Sequence, residues 1–266
     1  MTLCIAARCC DKVQEMNTIC CFDTRIETAT TGAETGFKFR KVAKDWAAML
    51  AGNVGRAEEL IRMYTNHLAD KDLNQKVVID ELRIPAQEFK RKLIDEYIQS
   101  MVGLSYADFL ANGNNSLPTR VFENLGQDIL QINIGCQLIL IPIGICEEIF
   151  TVETDATLVM HNHFAAIGTG ANSAYAWLHY RQQHQFSEVV HTLIHLAEAK
   201  KFSENAPGVG KRCYFEWIDH NRKVRTAVYS DKFADKVWTK FGPRKVTSTD
   251  VTAYFSPDDW DKTAIG

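Results

Sequence analysis

Met1-Thr2-Leu3-Cys4-Ile5-Ala6-Ala7 opens the sequence, and this short strand-like run places a threonine directly after the initiator methionine. Thr2 is small enough for Met1 to be trimmed, which would leave a hydroxyl and a free α-amine on one residue. An α-amine titrates near about 7.7–8.0, so a useful fraction is neutral at pH 7 and can accept the hydroxyl proton. Because Thr is common at position 2, this interpretation depends on the residues that accompany it.

Composition excludes several classes of protein. The chain has 266 residues, enough to bury a full core, and is 46% hydrophobic and 24% charged, as in ordinary globular proteins. A net charge of -3 and a pI near 6.2 give no global electrostatic reason to expect nucleic acid or an anionic membrane as a partner. The longest apolar run, residues 136–146, is shorter than the roughly 18 residues of a membrane span. The start lacks the features of a signal peptide, so we expect a cytosolic location.

Metal and cofactor signals are weak. Eight cysteines lie mostly inside apolar runs without a CxxC pair, which favours buried thiols over zinc or disulfide chemistry. His191 and His195 have the i, i+4 spacing of metal ligands, but no Glu follows His191, so a packed or surface pair is expected. Gly168 and Gly170 lack the remaining residues of a phosphate loop and indicate a tight strand-to-helix turn. We therefore expect neither a metal nor an organic cofactor.

The hydrophobic periodicity predicts strands, two helices, strands, two helices and closing strands. Sheets packed face to face, with helical pairs outside, fit this order better than a doubly wound fold. Strands are predicted at Leu3 to Cys9, Thr18 to Phe22, and residues 37–42, 46–51, 137–143, 148–153, 157–167, 212–218 and 224–229. Helices are predicted from Asn53 to about Leu68, from Pro85 at a helix N-terminus, after Gly170 and from Ser187. Residues 112–118 are predicted to be a turn cluster.

Three further positions supply what a threonine nucleophile needs. A nearby cation favours the neutral form of the Thr amine and the ionised form of the hydroxyl, and Lys38 lies in an alternating apolar and basic strand. Asp23, at the end of the second strand, is the natural counter-ion of a buried lysine. Gly52, at a strand-to-helix junction, offers an unobstructed backbone amide with the geometry of an oxyanion hole.

These residues resemble the proteasome β-subunit pattern of the N-terminal nucleophile (Ntn) hydrolases, of the bacterial proteasome-like type. Each segment alone is unspecific, but five segments in the family's order and near its spacing are specific. The segments are Thr2, Asp23-Thr24-Arg25, Lys38-Phe39-Arg40-Lys41-Val42, Ala51-Gly52 followed by a helix, and Ile167-Gly168-Thr169-Gly170 followed by a helix with Ala174 and Tyr175.

The resemblance implies an α+β fold, a four-layer αββα sandwich. It implies a single Ntn-hydrolase domain over residues 1–230, with an insertion around residues 103–135 and a C-terminal extension over residues 231–266. Family members assemble as rings or stacked rings around an inner chamber, which implies a homo-oligomer acting on peptide or protein substrates. The resemblance does not decide whether an ATP-dependent unfoldase is a partner.

Carried over by position, the resemblance assigns five roles. Thr2 would be the nucleophile and base, and Asp23 and Lys38 the charged pair. Gly52 would be the oxyanion donor, and Thr169 would take the place of the small hydroxyl residue that supports the N-terminus.

Two assignments stay open. The interval from Asp23 to Lys38 is slightly shorter than in the family, so Lys41 or Arg40 could be the matching cation. After its last helix the family has an Asp, two residues and then Ser-Gly. In residues 203–210 of this chain, Ser203 or Glu204 could stand in for that polar support.

The sequence thus predicts a threonine-type peptidase that acts through an acyl-enzyme ester on Thr2, which water then resolves. A proteasome-like subunit that builds or binds an assembly without catalysis is the alternative from another class. A non-peptide amidase on the same fold is the third possibility.

Overall fold

Two antiparallel sheets and seven helices make up most of the described chain, together with the short ribbon β3–β4. The computed structural model describes residues 2–11, 15–24, 26–27, 32–33, 38–69, 71, 78–143, 148–227, 230–242 and 260–261. The strands are β1 (Cys4–Cys10), β2 (Met16–Asp23), β3 (Ile26–Glu27), β4 (Gly32–Ala33), β5 (Phe39–Ala43), β6 (Trp46–Gly52), β7 (Cys136–Pro142), β8 (Ile149–Val152), β9 (Leu158–His161), β10 (Phe164–Ile167), β11 (Cys213–Ile218), β12 (Val224–Ala227) and β13 (Trp260–Asp261). The helices are α1 (Val54–Leu68), α2 (Val78–Val102), α3 (Tyr106–Ser116), α4 (Thr119–Gln131), α5 (Ala171–Tyr180), α6 (Val189–Ser203) and α7 (Ser230–Phe241).

The first strand lies inside the larger sheet. The six-stranded sheet has the order β10-β1-β2-β11-β12-β13, and the five-stranded sheet has the order β5-β6-β7-β8-β9. All seven residues of β1 are buried, including Arg8, because both faces of the strand are covered. Leu3 and Ile5 pack towards α5 and α6, whereas Cys4 and Ala6 belong to a cluster shared by the two sheets. The resulting fold mixes helices and sheets in the α+β class.

Helices cover the face of each sheet that is turned away from the shared cluster. α1 and α2 pack with β6, β7 and β8 through a cluster that contains Leu60, Tyr64 and Phe89. α5, α6 and α7 pack on β1, β2 and β11 through a cluster that contains Leu178, Leu193 and Val237. None of the helices in the described residues is both long and apolar enough to cross a bilayer.

Most predicted elements are confirmed, including the first hairpin, β5, β6 and α1. The prediction of a helix N-terminus at Pro85 is wrong, because α2 already includes Val78. Val78 and Leu82 extend the buried apolar stripe of α2 on the N-terminal side of Pro85. Packing therefore overrides the preference of proline for the first turn of a helix.

The turn predicted at residues 112–118 is also largely wrong, since α3 continues to Ser116. Ser105 caps this helix by accepting a hydrogen bond from the Asp108 N–H (3.1 Å). Gly113 lies under the Phe122 ring, which packs on Phe109. Tertiary contact between α3 and α4 therefore stabilises a helix that its Asn and Gly residues disfavour.

The predicted strand over residues 157–167 is two strands in different sheets. β9 pairs with β8 in the five-stranded sheet, and β10 pairs with β1 in the six-stranded sheet. The chain therefore crosses between the sheets at Asn162-His163. The extension predicted after residue 230 begins inside α7, whose Ala234, Val237 and Phe241 are buried with α6.

Glu216 is a carboxyl group buried in the six-stranded sheet. It lies in β11 between Cys20 of β2 and Thr226 of β12, with none of its surface exposed. Burial raises the pKa of Glu216 to about 8, while the Thr226 hydroxyl, 2.9 Å from both carboxyl oxygens, opposes part of that shift. The folded protein therefore keeps this proton at pH values where the unfolded chain has lost it.

Glu216→Gln should flatten the pH dependence of stability between 4.5, the ordinary pKa of Glu, and about 8. In this window the folded wild type binds more protons than the unfolded chain. Its free energy of unfolding therefore falls as pH rises, by at most about 1.4 kcal/mol per pH unit from this group. The amide does not titrate, so the variant lacks this component. Urea unfolding at both ends of the window measures the difference.

Glu88→Gln on the exposed face of α2 is the matched control and should keep the wild-type slope. Equal slopes for Glu216→Gln and wild type would contradict a buried, protonated Glu216.

Candidate active site

Thr2 lies next to Asp23 because of the register of the first hairpin. β1 pairs with β2 through Cys4 and Phe22, and the Asp23 N–H donates to the Leu3 carbonyl oxygen (3.0 Å). The Thr2 hydroxyl donates to Asp23 Oδ1 at 2.8 Å. The open end of the hairpin thus brings a hydroxyl and a carboxylate together.

Lys38 reaches the same point from the other sheet. Its ammonium donates to both Thr2 Oγ1 and Asp23 Oδ1, so the three side chains form one cluster. The exposed fractions are 4% for Thr2, 0% for Asp23 and 2% for Lys38. A buried ammonium requires a counter-charge, and the carboxylate supplies it. The cation in turn favours the ionised form of the hydroxyl it contacts.

The second oxygen of Asp23 is held by the main chain. Gly210, which precedes β11, donates its N–H to Asp23 Oδ2 at 2.8 Å. Sequence reasoning did not single out Gly210. The spacing of the family's Ser-Gly pair, if anchored on this glycine rather than on Ser203, could have found it.

Thr169 lies against the Thr2 backbone, in the turn between β10 and α5. The Thr2 N–H donates to Thr169 Oγ1 (3.3 Å), and Thr169 Oγ1 lies 3.4 Å from the Thr2 carbonyl oxygen. Gly170 N–H also approaches that oxygen (3.5 Å). Gly168 has a φ of 91°, and a Cβ there would lie 2.2 Å from the Thr2 oxygen. The turn therefore requires glycine in order to hold Thr2.

Gly52 ends β6 with a φ of 89°, immediately before α1. Gly52 pairs with Cys136 in the ladder between β6 and β7, and the Asn53 N–H donates to the Gly135 carbonyl oxygen (2.9 Å). Because hydrogen-bonded and non-bonded pairs alternate in an antiparallel ladder, the Gly52 N–H points away from β7. It points to the side on which Leu50 N–H donates to Lys38 O (3.3 Å). The amide thus faces the side of β6 on which Lys38 lies.

Neither Ser203 nor Glu204 forms a hydrogen bond with Thr2. The Ser203 hydroxyl bonds to the carbonyl oxygens of Ala199 (2.7 Å) and Gly170 (3.2 Å). The Glu204 carboxylate contacts Lys200 Nζ (2.6 Å) and Lys201 Nζ. Neither side chain therefore provides the polar support of the Thr2 amine that was expected of it.

Counting back from Gly210 gives a different alignment of the same segment. If Gly210 takes the place of the glycine in the family pattern Asp, two residues, Ser-Gly, then Val209 takes the place of the Ser and Ala206 that of the Asp. Neither side chain can form a hydrogen bond.

Arg40 and Lys41 do not join the cluster. Arg40 donates through Nε and Nη2 to Glu58 Oε1 on α1 (3.1 and 2.8 Å), and Lys41 is exposed. Of Lys38, Arg40 and Lys41, Lys38 is the residue that contacts Thr2.

Cys4 lies beside the cluster as a neutral thiol. Its sulfur donates to Leu50 O (3.3 Å), and burial raises its pKa to about 12, although Lys38 opposes the shift. The thiolate is the nucleophilic form of cysteine, so Cys4 is inert at neutral pH.

Potential metal ligands lie away from Thr2. His195 is half-buried, and this desolvation lowers its pKa to about 3, while its Nδ1 bonds to Gln183 Oε1 (2.7 Å). Within the described residues, Asp11, Glu15 and His220 form a group with ligand atoms within 4.8 Å of one another. That group is at the turn end of the first hairpin, opposite the end that holds Thr2.

Comparison with known proteins gives a likeness of fold. No protein-family model and no curated protein sequence matches this chain. Among solved structures, the chain is similar to eukaryotic HslV from Trypanosoma brucei, with a TM-score of 0.55 and 13% sequence identity. The match covers 82% of this chain and 100% of that chain. At this identity the likeness shows the fold alone.

Gly168→Ala should destabilise the protein and displace the Thr2 backbone. The strained φ alone costs about 1–3 kcal/mol, and the added Cβ would overlap the Thr2 carbonyl oxygen. Gly126→Ala in α4 is the control, because its Cβ would meet no atom within 4 Å. That variant should be neutral or stabilised by up to about 1 kcal/mol. Urea unfolding measures both, and equal stabilities would contradict the close approach at Gly168.

Proposed function

We propose that the chain is a threonine-type peptidase of the proteasome-like Ntn hydrolases, with Thr2 as its nucleophile once Met1 is removed. The buried cluster of Thr2, Asp23 and Lys38 is the observation that carries this proposal. A lysine ammonium in contact with a threonine hydroxyl favours the ionised form of that hydroxyl, which is the form that attacks a carbonyl carbon.

The fold supports the proposal at a coarser level. The likeness to HslV favours a proteasome-like threonine-peptidase fold. The clusters between the sheets and beneath the two helical groups fit the four-layer αββα sandwich. In this proposal residues 1–230 form the catalytic domain, helices α3 and α4 are its insertion, and residues 231–266 extend it.

In the proposed reaction the free α-amine of Thr2 takes the proton of its own hydroxyl, and Oγ1 attacks the substrate carbonyl carbon. The carbonyl oxygen becomes an oxyanion that accepts a hydrogen bond from Gly52 N–H. The protonated amine then gives its proton to the leaving amine as the C–N bond breaks. This leaves an ester on Thr2.

Water completes the cycle. A water molecule attacks the ester carbonyl carbon while the Thr2 amine takes a proton from that water. The amine then gives the proton to Oγ1 as the ester C–O bond breaks. Lys38 stabilises the negative charge that develops on Oγ1 in both halves of the reaction, and Asp23 holds Lys38 in place. Thr169 orients the Thr2 backbone through the contacts described above.

The proposal extends to partners and location. Substrates are peptides or proteins, the particle is a homo-oligomeric ring or stacked rings in the cytosol, and an unfoldase partner stays open. The chemistry requires no metal and no organic cofactor, because the nucleophile and the base belong to one residue.

A non-catalytic proteasome-like subunit is the second candidate. The apolar residues Ala206 and Val209, at the positions where the family pattern has Asp and Ser, favour it. Without those polar side chains, Thr169 Oγ1 is the side-chain group that contacts the Thr2 nitrogen within the described residues.

Labelling with a peptide β-lactone tests the chemistry. Wild type should form one ester adduct, and Thr2→Ala should form none. Lys38→Ala should react at least roughly 100-fold more slowly, because it loses the preorganised positive charge beside the nucleophile. Intact-mass spectrometry over time gives the rates, and melting temperatures check that each variant is folded.

Lys41→Ala is the matched control, because Lys41 lies in β5, just after Lys38, and is exposed. It should react at the wild-type rate. If Lys41→Ala reacted slowly and Lys38→Ala reacted at the wild-type rate, the assignment of Lys38 as the activating cation would be wrong. Folded wild type that lacks Met1 and forms no adduct would favour the non-catalytic subunit.

A further inference from the structure

Gln137 links the two sheets at the site. It lies on β7 of the five-stranded sheet, and its Oε1 accepts a hydrogen bond from Gly168 N–H at 3.1 Å. Gly168 belongs to the turn after β10, a strand of the six-stranded sheet. The bond therefore crosses from one sheet to the other.

Glu153 holds the other end of the same amide. Gln137 Nε2 donates to Glu153 Oε2 at 2.6 Å, next to the ladder pair formed by Leu138 and Val152. One partner is a donor and the other an acceptor, so the amide can satisfy both in a single orientation. The carboxylate makes its bond charge-assisted and strong. Glu153 thereby locks the carbonyl oxygen of Gln137 towards Gly168.

The two ends of the bridge belong to the two halves of the site. Gln137 pairs with Ala51 in the ladder, directly beside the Gly52 and Cys136 pair. Gly168 lies against the Thr2 carbonyl oxygen, so closely that a Cβ would overlap it. The bridge thus joins the strand pair that carries the oxyanion donor to the turn that holds the nucleophile.

We propose that Gln137 is a positioning residue that sets the distance between Thr2 Oγ1 and the Gly52 amide, with Glu153 fixing its orientation. This inference rests on the proposed hydrolase function. Gln137 touches neither the substrate nor the reacting atoms. It acts through Gly168 and the Thr2 backbone, and a displacement of about 1 Å between attacking and stabilising groups can cost roughly 100-fold in rate.

Gln137→Met keeps the length of the side chain but removes both hydrogen bonds. We expect kcat, or the maximal rate of β-lactone labelling, to fall roughly 10- to 100-fold with little change in KM. Gln127→Met on the exposed face of α4 is the matched control and should behave as wild type. Amide exchange of Gly168, measured by NMR, should speed up in Gln137→Met and stay unchanged in the control.

A rescue separates positioning from simple packing. Gln137→Glu alone places two carboxylates side by side and should lose activity as Gln137→Met does. Adding Glu153→Gln restores one carboxylate and one amide with the same total charge, so the double variant should recover most of the wild-type rate. A packing role would not distinguish the single from the double variant.

The outcomes separate this inference from the function it rests on. If wild type is labelled and Gln137→Met is labelled equally fast, the positioning role is wrong and the hydrolase proposal stands. If folded, trimmed wild type is not labelled at all, both are wrong. Failure of the double variant to recover would also overturn the role of the bridge.

Discussion

A lysine ammonium buried between two sheets is the constraint on which the site depends. Lys38 precedes β5 of one sheet, and its counter-ion Asp23 ends β2 of the other, so their contact exists only when the sheets face each other in the observed register. Removing Asp23 alone would leave an unpaired buried charge at a cost of about 3–5 kcal/mol. The same pair holds the hydroxyl of Thr2. The stability of the buried ion pair and the chemistry proposed for Thr2 therefore rest on one cluster.

The main chain completes what the three side chains begin. Gly210 N–H occupies the second oxygen of Asp23, and the turn at Gly168 holds the Thr2 backbone. Gly52 presents an amide from a conformation that side chains rarely adopt. Glycine at positions 52 and 168 allows close approach of backbone to backbone. A site built in this way is preorganised, since its donors are fixed by the sheets and turns that carry them.

Most strands were predictable from local patterns, although residues 157–167 form two strands instead of one. The grouping of Thr2 with Asp23 was expected from charge pairing and from the family resemblance, which left Lys38, Arg40 and Lys41 open as the cation. Apolar and basic residues alternate in β5, and β6 is a short apolar run that ends at Gly52. A buried lysine requires an acid nearby, and Asp23 ends a neighbouring strand. The errors arose where tertiary contacts decide the outcome. Val78 and Leu82 extend α2 past Pro85, and Phe122 stabilises α3 across its Asn and Gly residues. Gly210 and Gln137 were not foreseen, because they act through hydrogen bonds between segments distant in sequence.

The central claim is that the hydroxyl and the nitrogen of Thr2 act together as one reactive group. A peptide epoxyketone tests this directly, because its ketone and its epoxide can be attacked by a hydroxyl and an amine of the same residue. Tandem mass spectrometry of the product should show Met1 removed and both Oγ1 and the α-nitrogen of Thr2 bonded to the inhibitor. Retained Met1, or an adduct on a cysteine instead of Thr2, would contradict the claim.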